Sequence, residues 1–273
     1  MTPTAPDVIA AVAARLRAAG CVFAEDEARL LAAAASTRAD LDAMAERRAS
    51  GLPLEHVVGW AEFCGLRIVV GPGVFVPRRR SELLVREAIA AARESRLGRD
   101  PARVMRSVII DLCCGSGAIG VAVVAALGGA ELHAADIQPA AVACARENVA
   151  AIGGQVYLGD LYDPLPAALR GRVDVLVVNA PYVPTAEIGL MPPEARLYEP
   201  AIALDGGTDG VAIHRRVAAE AAAWLAPTGR LLIETSERQA ALTAAAMTAG
   251  GLVATATSDD DLAATVVGSL PRV

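Results

Sequence analysis

Five short apolar runs, separated by stretches with helical character, constrain the fold of this chain more than any other feature. Apolar strands that alternate with helices predict a parallel sheet covered by helices on both faces, which is an α/β architecture. The predicted strands are SVIIDL, ELHAAD, QVYLGD, VDVLVVN and RLLIET, and the helical stretches between them include residues 140–150 and 214–225.

Several of these strands end in a polar side chain. In open α/β sheets, ligands bind at the carboxyl ends of the strands. One polar ending is expected by chance, but four in succession predict a site along this edge of the sheet. The four residues are Asp111, Asp136, Asp160 and Asn179.

The segment DLCCGSGAIG begins at the end of the first of these strands. Gly115 and Gly117 allow a tight turn and a close approach of the backbone to a ligand, and Gly120 allows the next helix to pack on the strand. Asp136 follows Gly117 by 19 residues, close to the offset at which an acid binds ribose hydroxyls. A tight turn without a ligand is the alternative. The strand before, the helix after and the acid at the next strand end favour a nucleoside-cofactor site.

Two nucleoside cofactors fit this segment, NAD and S-adenosylmethionine. NAD would bring a pyrophosphate to the turn, whereas S-adenosylmethionine would bring a cationic amino acid. A carboxylate at the mouth of the loop, Asp111, attracts the second and repels the first, which favours S-adenosylmethionine. Asp160 could then accept a hydrogen bond from the adenine amino group, with Leu161 against the ring. A helix N-cap explains Asp160 nearly as well.

The segment VVNAPYVP follows the fourth strand. By itself it is an ordinary exit from a strand, with Pro181 holding Ala180 extended. Beside S-adenosylmethionine, however, the side-chain carbonyl of Asn179 and the backbone carbonyl of Ala180 would accept the two hydrogens of an amide or exocyclic amino nitrogen. That nitrogen is a poor nucleophile, so the catalytic effect would come from holding it in line with the methyl group. Tyr182 would pack on the planar acceptor or near the cationic methyl group.

NAPY resembles the (Asp/Asn)-Pro-Pro-Tyr signature of amino-group methyltransferases. The chain as a whole resembles the HemK/PrmC family of protein N5-glutamine methyltransferases, which act on the Gly-Gly-Gln glutamine of peptide-chain release factors. The matching stretches cover most of residues 50–235 in the order of the family, and they are PLEHVVGWAEFCGLRIVV, VFVPRRRSELLV, DLCCGSGAIG, NAPYVP and EPAIALDGGTDG.

The resemblance implies a Rossmann-like, class I methyltransferase domain that uses S-adenosylmethionine and binds a release factor. It implies that Asn179, Ala180, Pro181 and Tyr182 hold the glutamine. It also implies cofactor contacts at Cys113, Cys114, Gly115, Ser116, Gly117, Asp136, Leu161 and Asn179.

Three segments depart from the pattern of the family. Ala180 replaces the first of two prolines, which leaves the backbone carbonyl in place but makes the loop less rigid. Arg79 and Arg80 replace a proline and an acid. They could be a solvated run of charges, or they could change the surface that binds the substrate. RLLIETSERQ has Thr235 and Ser236 where a bulkier residue and a glycine are expected. The role of Glu234 in that strand stays open.

Before the sheet region, the sequence predicts a separate helical unit. We expect helices from about Asp7 to Gly20, at 25–35 and at 39–47, followed by a hairpin in which β-rich residues flank Gly71–Gly73. The predicted organisation is a helical substrate-docking domain over residues 1–62, a hairpin linker over 63–80 and the methyltransferase domain over 81–273.

Composition excludes several other classes of protein. A net charge of −6 argues against the broad basic surface of a duplex-binding protein, and no unbroken run of about 18 apolar residues predicts a membrane span. The N-terminus lacks the layout of a signal peptide, so we expect a cytoplasmic protein. Neither the five cysteines nor the three histidines have metal-binding spacing.

Three alternative functions stay open. Methylation of an exocyclic amino group in RNA or DNA fits NAPY, but the low pI and few aromatic residues count against it. An NAD-dependent oxidoreductase leaves NAPY and Asp111 unexplained. A binding protein with a methyltransferase fold and no activity is supported mainly by Ala180.

Overall fold

The computed structural model describes residues 3–97 and 106–271, and its first part is a small helical bundle. The helices are α1 (Pro6–Ala18), α2 (Ala24–Ala34), α3 (Arg38–Ala49) and α4 (Leu54–Val58). Their apolar faces meet around Leu16, Leu31 and Leu41, which are fully buried. The Thr37 hydroxyl caps α3 by accepting a hydrogen bond from the Asp40 backbone N–H at 3.1 Å. The three longer helices confirm those predicted from the apolar periodicity.

An antiparallel hairpin of β1 (Trp60–Phe63) and β2 (Leu66–Val69) follows the bundle. The predicted hairpin is therefore present, but its turn does not lie at Gly71–Gly73 as the sequence suggested. The chain turns instead at Cys64 and Gly65, whose φ angles are 51° and 72°. The β-rich residues after Gly73 misled the prediction because Val74 and Val76 are buried in the core without belonging to a strand.

The rest of the described chain forms a seven-stranded sheet with helices on both faces. Its strands are β3 (Val108–Leu112), β4 (Glu131–Asp136), β5 (Gln155–Leu158), β6 (Val173–Val178), β7 (Leu225–Thr235), β8 (Leu252–Asp259) and β9 (Ala264–Pro271). Its helices are α5 (Glu82–Leu97), α6 (Ala118–Ala126), α7 (Pro139–Ala150), α8 (Pro193–Tyr198), α9 (Ala212–Trp224) and α10 (Ala240–Ala249). The Rossmann-like α/β fold predicted from the sequence is confirmed. None of these described helices is long and apolar enough to cross a membrane.

The sheet is mixed rather than wholly parallel, with the strand order β5-β4-β3-β6-β7-β9-β8. The five predicted strands pair in parallel, but β9 pairs antiparallel with both β7 and β8. The sequence predicted a parallel sheet, but the two C-terminal strands, β8 and β9, make the sheet mixed. The edge strand β8 escaped notice because most of its residues are exposed or half-buried, so it lacks the apolar run of the inner strands.

The inner strand β3 marks the point where the strand order reverses. From β3 the chain adds β4 and β5 on one side, and then crosses over to add β6 and β7 on the other. At such a switch point the connections leave in opposite directions, and a crevice opens at the carboxyl ends of the strands. All four predicted polar strand ends lie along this edge.

Strand β6 shows why the inner strands are mostly apolar. All six of its residues are buried. Val175 and Val177 pack into the core that contains the hairpin, α5 and α6, whereas Leu176 and Val178 pack into the opposite core around Trp224 of α9. A strand covered on both faces leaves little room for polar side chains, and the one in β6, Asp174, is buried with its oxygens bonded to the Ser95 hydroxyl and the Val108 N–H.

A buried arginine joins the helical bundle to the sheet region. The Arg48 guanidinium in α3 contacts both carboxylate oxygens of Glu27, at 2.6 and 3.1 Å, and donates to Glu194 of α8 at 2.6 Å. Beside it, the Tyr198 hydroxyl donates to the Ser50 carbonyl at 3.1 Å. These contacts hold α8 against the bundle.

Candidate active site

A cavity of about 510 Å³ opens at the switch point of the sheet. Residues 113–116, 135–138 and 160–161 line one wall, called here the glycine-loop side. Arg80–Ser81 and residues 179–183 line the opposite wall, called here the NAPY side. A volume of this size suits a small-molecule ligand.

The glycine loop turns the chain from β3 into α6 through three left-handed residues. The φ angles are 55° at Cys113, 54° at Gly115 and 77° at Gly117. Gly117 is the N-cap residue of α6, and its N–H donates to the Cys114 carbonyl at 2.7 Å. Cys113, Cys114, Gly115 and Ser116 line the cavity, and Gly117 lies behind them. The turn therefore brings loop backbone to the cavity wall.

Asp136 joins the end of β4 to the glycine loop. One of its oxygens accepts the Gly115 N–H at 2.9 Å, and the other accepts the Gln138 N–H at 2.9 Å. Burial raises the pKa of Asp136, while these hydrogen bonds lower it. The carboxylate also lines the cavity, so its remaining lone pairs are available to a ligand.

Asp111 lies beneath the glycine loop and not at its mouth, where the sequence interpretation put it. Its side chain is buried, and its Oδ2 accepts the Gly120 N–H at 2.9 Å. Burial raises the pKa of Asp111 to about 7. A Cβ on residue 120 would lie 3.0 Å from Oδ2 and 2.9 Å from Leu132, which explains the glycine. Asp111 thus ties α6 to β3, and the carboxylates that line this side are Asp136 and Asp160.

Asp160 and Leu161 follow β5 and also line the cavity. Asp160 forms an ion pair with Arg216 at 2.7 Å. The residues after it form turns, so the alternative of a helix N-cap is wrong. Leu161 has a φ of 46° and is buried against the cavity wall.

All four NAPY residues lie on the opposite wall. The Asn179 Nδ2 donates to the Ser81 hydroxyl at 3.1 Å, and its Oδ1 has no partner within residues 3–97 and 106–271. The Ala180 carbonyl likewise meets no donor in that part of the chain. Two carbonyl oxygens are therefore left to accept N–H groups from a ligand, as the chemistry of amide recognition requires.

Tyr182 is held at its hydroxyl by two charged side chains. Arg80 donates to the hydroxyl at 3.3 Å, and the hydroxyl donates to Glu234 at 3.4 Å. Burial and the Glu234 carboxylate raise the pKa of Tyr182. The phenol is therefore neutral and its ring is fixed at the wall of the cavity.

The segment DGGTDG supports the NAPY segment from behind. The Gly206 N–H donates to the Val183 carbonyl at 2.8 Å, and the Gln239 side chain donates to the Tyr182 carbonyl at 2.8 Å. A Cβ at Gly206 would lie 2.7 Å from the Tyr182 Cα, and a Cβ at Gly210 would lie 2.3 Å from the Tyr182 carbonyl oxygen. Both glycines are required by this close approach of two backbones.

Comparisons with known proteins agree with this geometry. Residues 96–191 match the Methyltransferase small domain family. A release factor glutamine methyltransferase of Bradyrhizobium diazoefficiens is 34% identical over 92% of this chain and 89% of its own length. One of Geobacter sulfurreducens is 38% identical over 71% of this chain, and that match spans 64% of the relative, slightly under two thirds of its length.

The chain belongs to the release factor glutamine methyltransferases. Among solved structures, the catalytic domain of hMettl16 in complex with a 3′UTR hairpin resembles it with a TM-score of 0.60 and 12% identity, over 91% of this chain and 83% of that one. At this identity the likeness concerns the fold alone.

The NAPY side also carries polar groups that the sequence did not connect with NAPY, including Glu234, whose role it had left open. Glu199 is buried, pairs with Arg78, and has one oxygen without a partner among the described residues. Ser81 contacts Asn179, and Glu234 contacts Tyr182. The segment PRRRSE drew attention to Arg79 and Arg80 as departures. No sequence signal connected Ser81 or Glu199 to NAPY, because only the fold brings them together.

Proposed function

We propose that this chain transfers a methyl group from S-adenosylmethionine to the side-chain amide nitrogen of a glutamine in a protein, the Gly-Gly-Gln glutamine of a peptide-chain release factor. The observation that carries the proposal is the pair of unpartnered carbonyls, Asn179 Oδ1 and Ala180 O, on the wall opposite the glycine loop. Membership of the family supports the same reaction.

The residues of the glycine-loop side fit S-adenosylmethionine. The loop backbone at Cys113–Ser116 has no side-chain obstacle at Gly115, where an added Cβ would meet nothing within 4 Å. Asp136 would hold the ribose hydroxyls, Asp160 the adenine amino group and Leu161 the face of the ring. The Asp136 carboxylate beside the loop favours a cationic ligand over a pyrophosphate, whereas Asp160 is already paired with Arg216. When bound, S-adenosylmethionine supplies the activated methyl group.

The NAPY side supplies placement rather than a strong base. The lone pair of an amide nitrogen is delocalised, so its attack needs alignment and support for the positive charge that develops on it. Asn179 Oδ1 and the Ala180 carbonyl would each accept one N–H of the glutamine amide. These two hydrogen bonds would align the nitrogen and support its developing positive charge. Pro181 restricts the backbone of Ala180, and the fixed Tyr182 ring packs on the amide plane. The proton leaves after the transfer.

The outer rim of the cavity suits a protein acceptor. Leu190, Leu197 and Ile202 expose 84, 62 and 50% of their surface beside the cavity mouth. Arg48 and Tyr198 connect this rim to the helical bundle. We infer that the bundle, residues 1–62, docks the release factor, and that the reaction takes place in the cytoplasm without direct binding of nucleic acid.

The test is methylation of a purified release factor with radiolabelled S-adenosylmethionine, followed by mass spectrometry of the Gly-Gly-Gln peptide. We expect one methyl group on the glutamine side chain. A release factor with that glutamine changed to alanine is the matched control and should take no label. Label in RNA from a ribosomal fraction, with none in the release factor, would replace the proposal by nucleic-acid methylation.

A further inference from the structure

Arg80 reaches the NAPY side from a part of the chain 102 positions before Tyr182. It lies in the short helical turn Arg79–Ser81 that precedes α5, and it lines the cavity. Its Nη1 donates to the Tyr182 hydroxyl at 3.3 Å. The neighbouring Arg79 is also exposed but lies outside the cavity lining. Of these two adjacent arginines, Arg80 is therefore the one that contacts the proposed site.

The hydrogen-bonding capacity of the two groups fixes the direction of the phenol O–H. A guanidinium has donors and no acceptor, whereas a phenol has one donor and two lone pairs. The Tyr182 oxygen must therefore accept from Arg80, and its own proton must point elsewhere. Glu234 Oε1 lies 3.4 Å from the hydroxyl and can accept that proton whether or not the carboxyl group is ionised. The direction of both bonds thus follows from the contacts themselves.

The backbone and the side chain of Tyr182 are held by different residues. The Tyr182 carbonyl accepts a hydrogen bond from the Gln239 side chain at 2.8 Å. The hydroxyl, at the far end of the ring, is held by Arg80 and Glu234. Loss of the Arg80 side chain should therefore leave the loop in place but release one of the two contacts that hold the hydroxyl. Such a loss should affect the ring and not the backbone carbonyls of the NAPY segment.

We propose that Arg80 is a positioning residue that sets the tilt of the Tyr182 ring against the methyl acceptor. The hydroxyl is held between Arg80, which is exposed at the cavity, and Glu234, which is buried. The ring is thereby fixed from both sides. The effect on turnover rests on the proposed function, but the contact itself is a property of this chain alone. One of the two arginines that depart from the pattern of the family thus acquires a role.

The first test compares Arg80→Met with its matched control, Arg79→Met. Methionine keeps an unbranched stem but has no donor, and each variant removes one positive charge from the same exposed segment. We expect kcat to fall about five- to tenfold in Arg80→Met, the worth of one hydrogen bond, and less than about twofold in Arg79→Met. KM for the release factor and affinity for S-adenosylmethionine should each change less than about twofold. Equal losses of kcat would assign the effect to the charge of the segment and overturn the proposal.

A double-mutant cycle distinguishes action through Tyr182 from direct contact with the acceptor. Tyr182→Phe keeps the ring but removes the hydroxyl that Arg80 contacts. In the Tyr182→Phe background, Arg80→Met should therefore lower kcat by less than about a further twofold, because the interaction that it removes is already absent. The same fivefold or greater loss in both backgrounds would make Arg80 a direct contact of the acceptor and refute the positioning role.

A readout on the protein alone separates this inference from the proposed function. The chain has four tyrosines, so an isotope label at tyrosine Cζ gives four NMR signals, and Tyr182→Phe identifies the signal of residue 182. This signal, which reports the hydrogen bonds of the hydroxyl, should move in Arg80→Met and stay in Arg79→Met. If the wild type fails to methylate the release factor and this difference is found, the proposed function fails and the contact stands. An unmoved Tyr182 signal in Arg80→Met would refute the contact.

Discussion

The two walls of the cavity are built in different ways. On the glycine-loop side, the Asp136 carboxylate binds the Gly115 N–H, a contact between residues 21 positions apart. On the NAPY side, Asn179 contacts Ser81 across 98 positions, and Tyr182 contacts Glu234 across 52. One wall is three neighbouring strand ends with their loops, and the other is assembled from segments that are far apart in the chain.

This difference predicts which substitutions should affect each wall. The glycine loop depends on its own backbone angles, so substitutions elsewhere should change cofactor affinity little. The NAPY segment depends on hydrogen bonds and close backbone contacts from distant residues, so remote substitutions should impair turnover. Changes on the NAPY side should therefore separate methyl transfer from cofactor binding.

Asn179→Ala should have the largest effect. Loss of the acceptor for the substrate N–H should cost about 2.7–4 kcal/mol of transition-state stabilisation, or roughly a hundred- to a thousandfold in rate, by analogy with an oxyanion-hole donor. Cofactor affinity should change much less. Asn179→Asp should be milder because a carboxylate still accepts hydrogen bonds. Methyl transfer, calorimetry and thermal unfolding on the same preparations measure this, and full activity in folded Asn179→Ala would remove Asn179 from catalysis.

Gly210→Ala should destabilise the support of the NAPY segment. Residue 210 has a φ of 75°, and its Cβ would collide with the Gln239 side chain and the Tyr182 carbonyl. We expect about 2–3 kcal/mol lower stability, from a left-handed residue and a displaced neighbour. Gly251→Ala is the control, since φ is 83° there but its Cβ meets nothing within 4 Å. Urea unfolding should show a smaller loss for Gly251→Ala; equal losses would mean that the contact with Tyr182 is unimportant.

Asp136→Ala should weaken S-adenosylmethionine binding by about 1.5–3 kcal/mol, the scale of a hydrogen bond to a charged group. It also removes the acceptor for the Gly115 N–H, so the loop itself should loosen. Asp163→Ala is the matched control, because Asp163 is exposed and outside the cavity lining. Calorimetry decides, and an unchanged affinity in Asp136→Ala would exclude Asp136 from the cofactor site.

Ala180→Pro should have the smallest effect and leave turnover equal or slightly higher, within about threefold. The Ala180 N–H donates to no backbone acceptor in the described part of the chain, so proline removes no hydrogen bond there. The carbonyl should stay in place while the loop becomes stiffer. Steady-state rates with the release factor measure this. A loss of tenfold or more would show that the loop is shaped for a different acceptor.

The sequence predicted the glycine-loop side well because its signals are local. Apolar runs located β3 to β7, and the glycines and Asp136 located the loop. The prediction that Asp111 lies at the mouth of the loop was wrong. A polar residue at a strand end can face the crevice or the helix behind it, and the sequence does not distinguish these two orientations. Asp111 faces Gly120 because the buried N–H of Gly120 needs an acceptor, which the Asp111 carboxylate supplies.

The NAPY side was only half predictable. The tetrapeptide was visible as a motif, but its partners were not, since a buried serine or glutamate looks the same in a sequence whether it faces a cavity or a core. Likewise, the edge strand β8 lacks the apolar run that revealed the inner strands, and Val74 and Val76 resemble strand residues although they fill the core from a loop. Such features are decided by which surfaces meet in the fold.

The arginine at the junction of bundle and rim has unequal attachments. Arg48 and Glu27 are nearly inaccessible, at 9 and 10% side-chain exposure, whereas Glu194 is 49% exposed. If α8 swings outward, Glu194 is rehydrated at little cost, and Arg48 keeps Glu27 as its counter-ion, so no charge is stranded in the interior. The junction therefore joins a buried ion pair, Arg48 with Glu27, to a half-exposed one, Arg48 with Glu194. Loss of the Glu194 contact should therefore cost less stability than loss of the Glu27 contact.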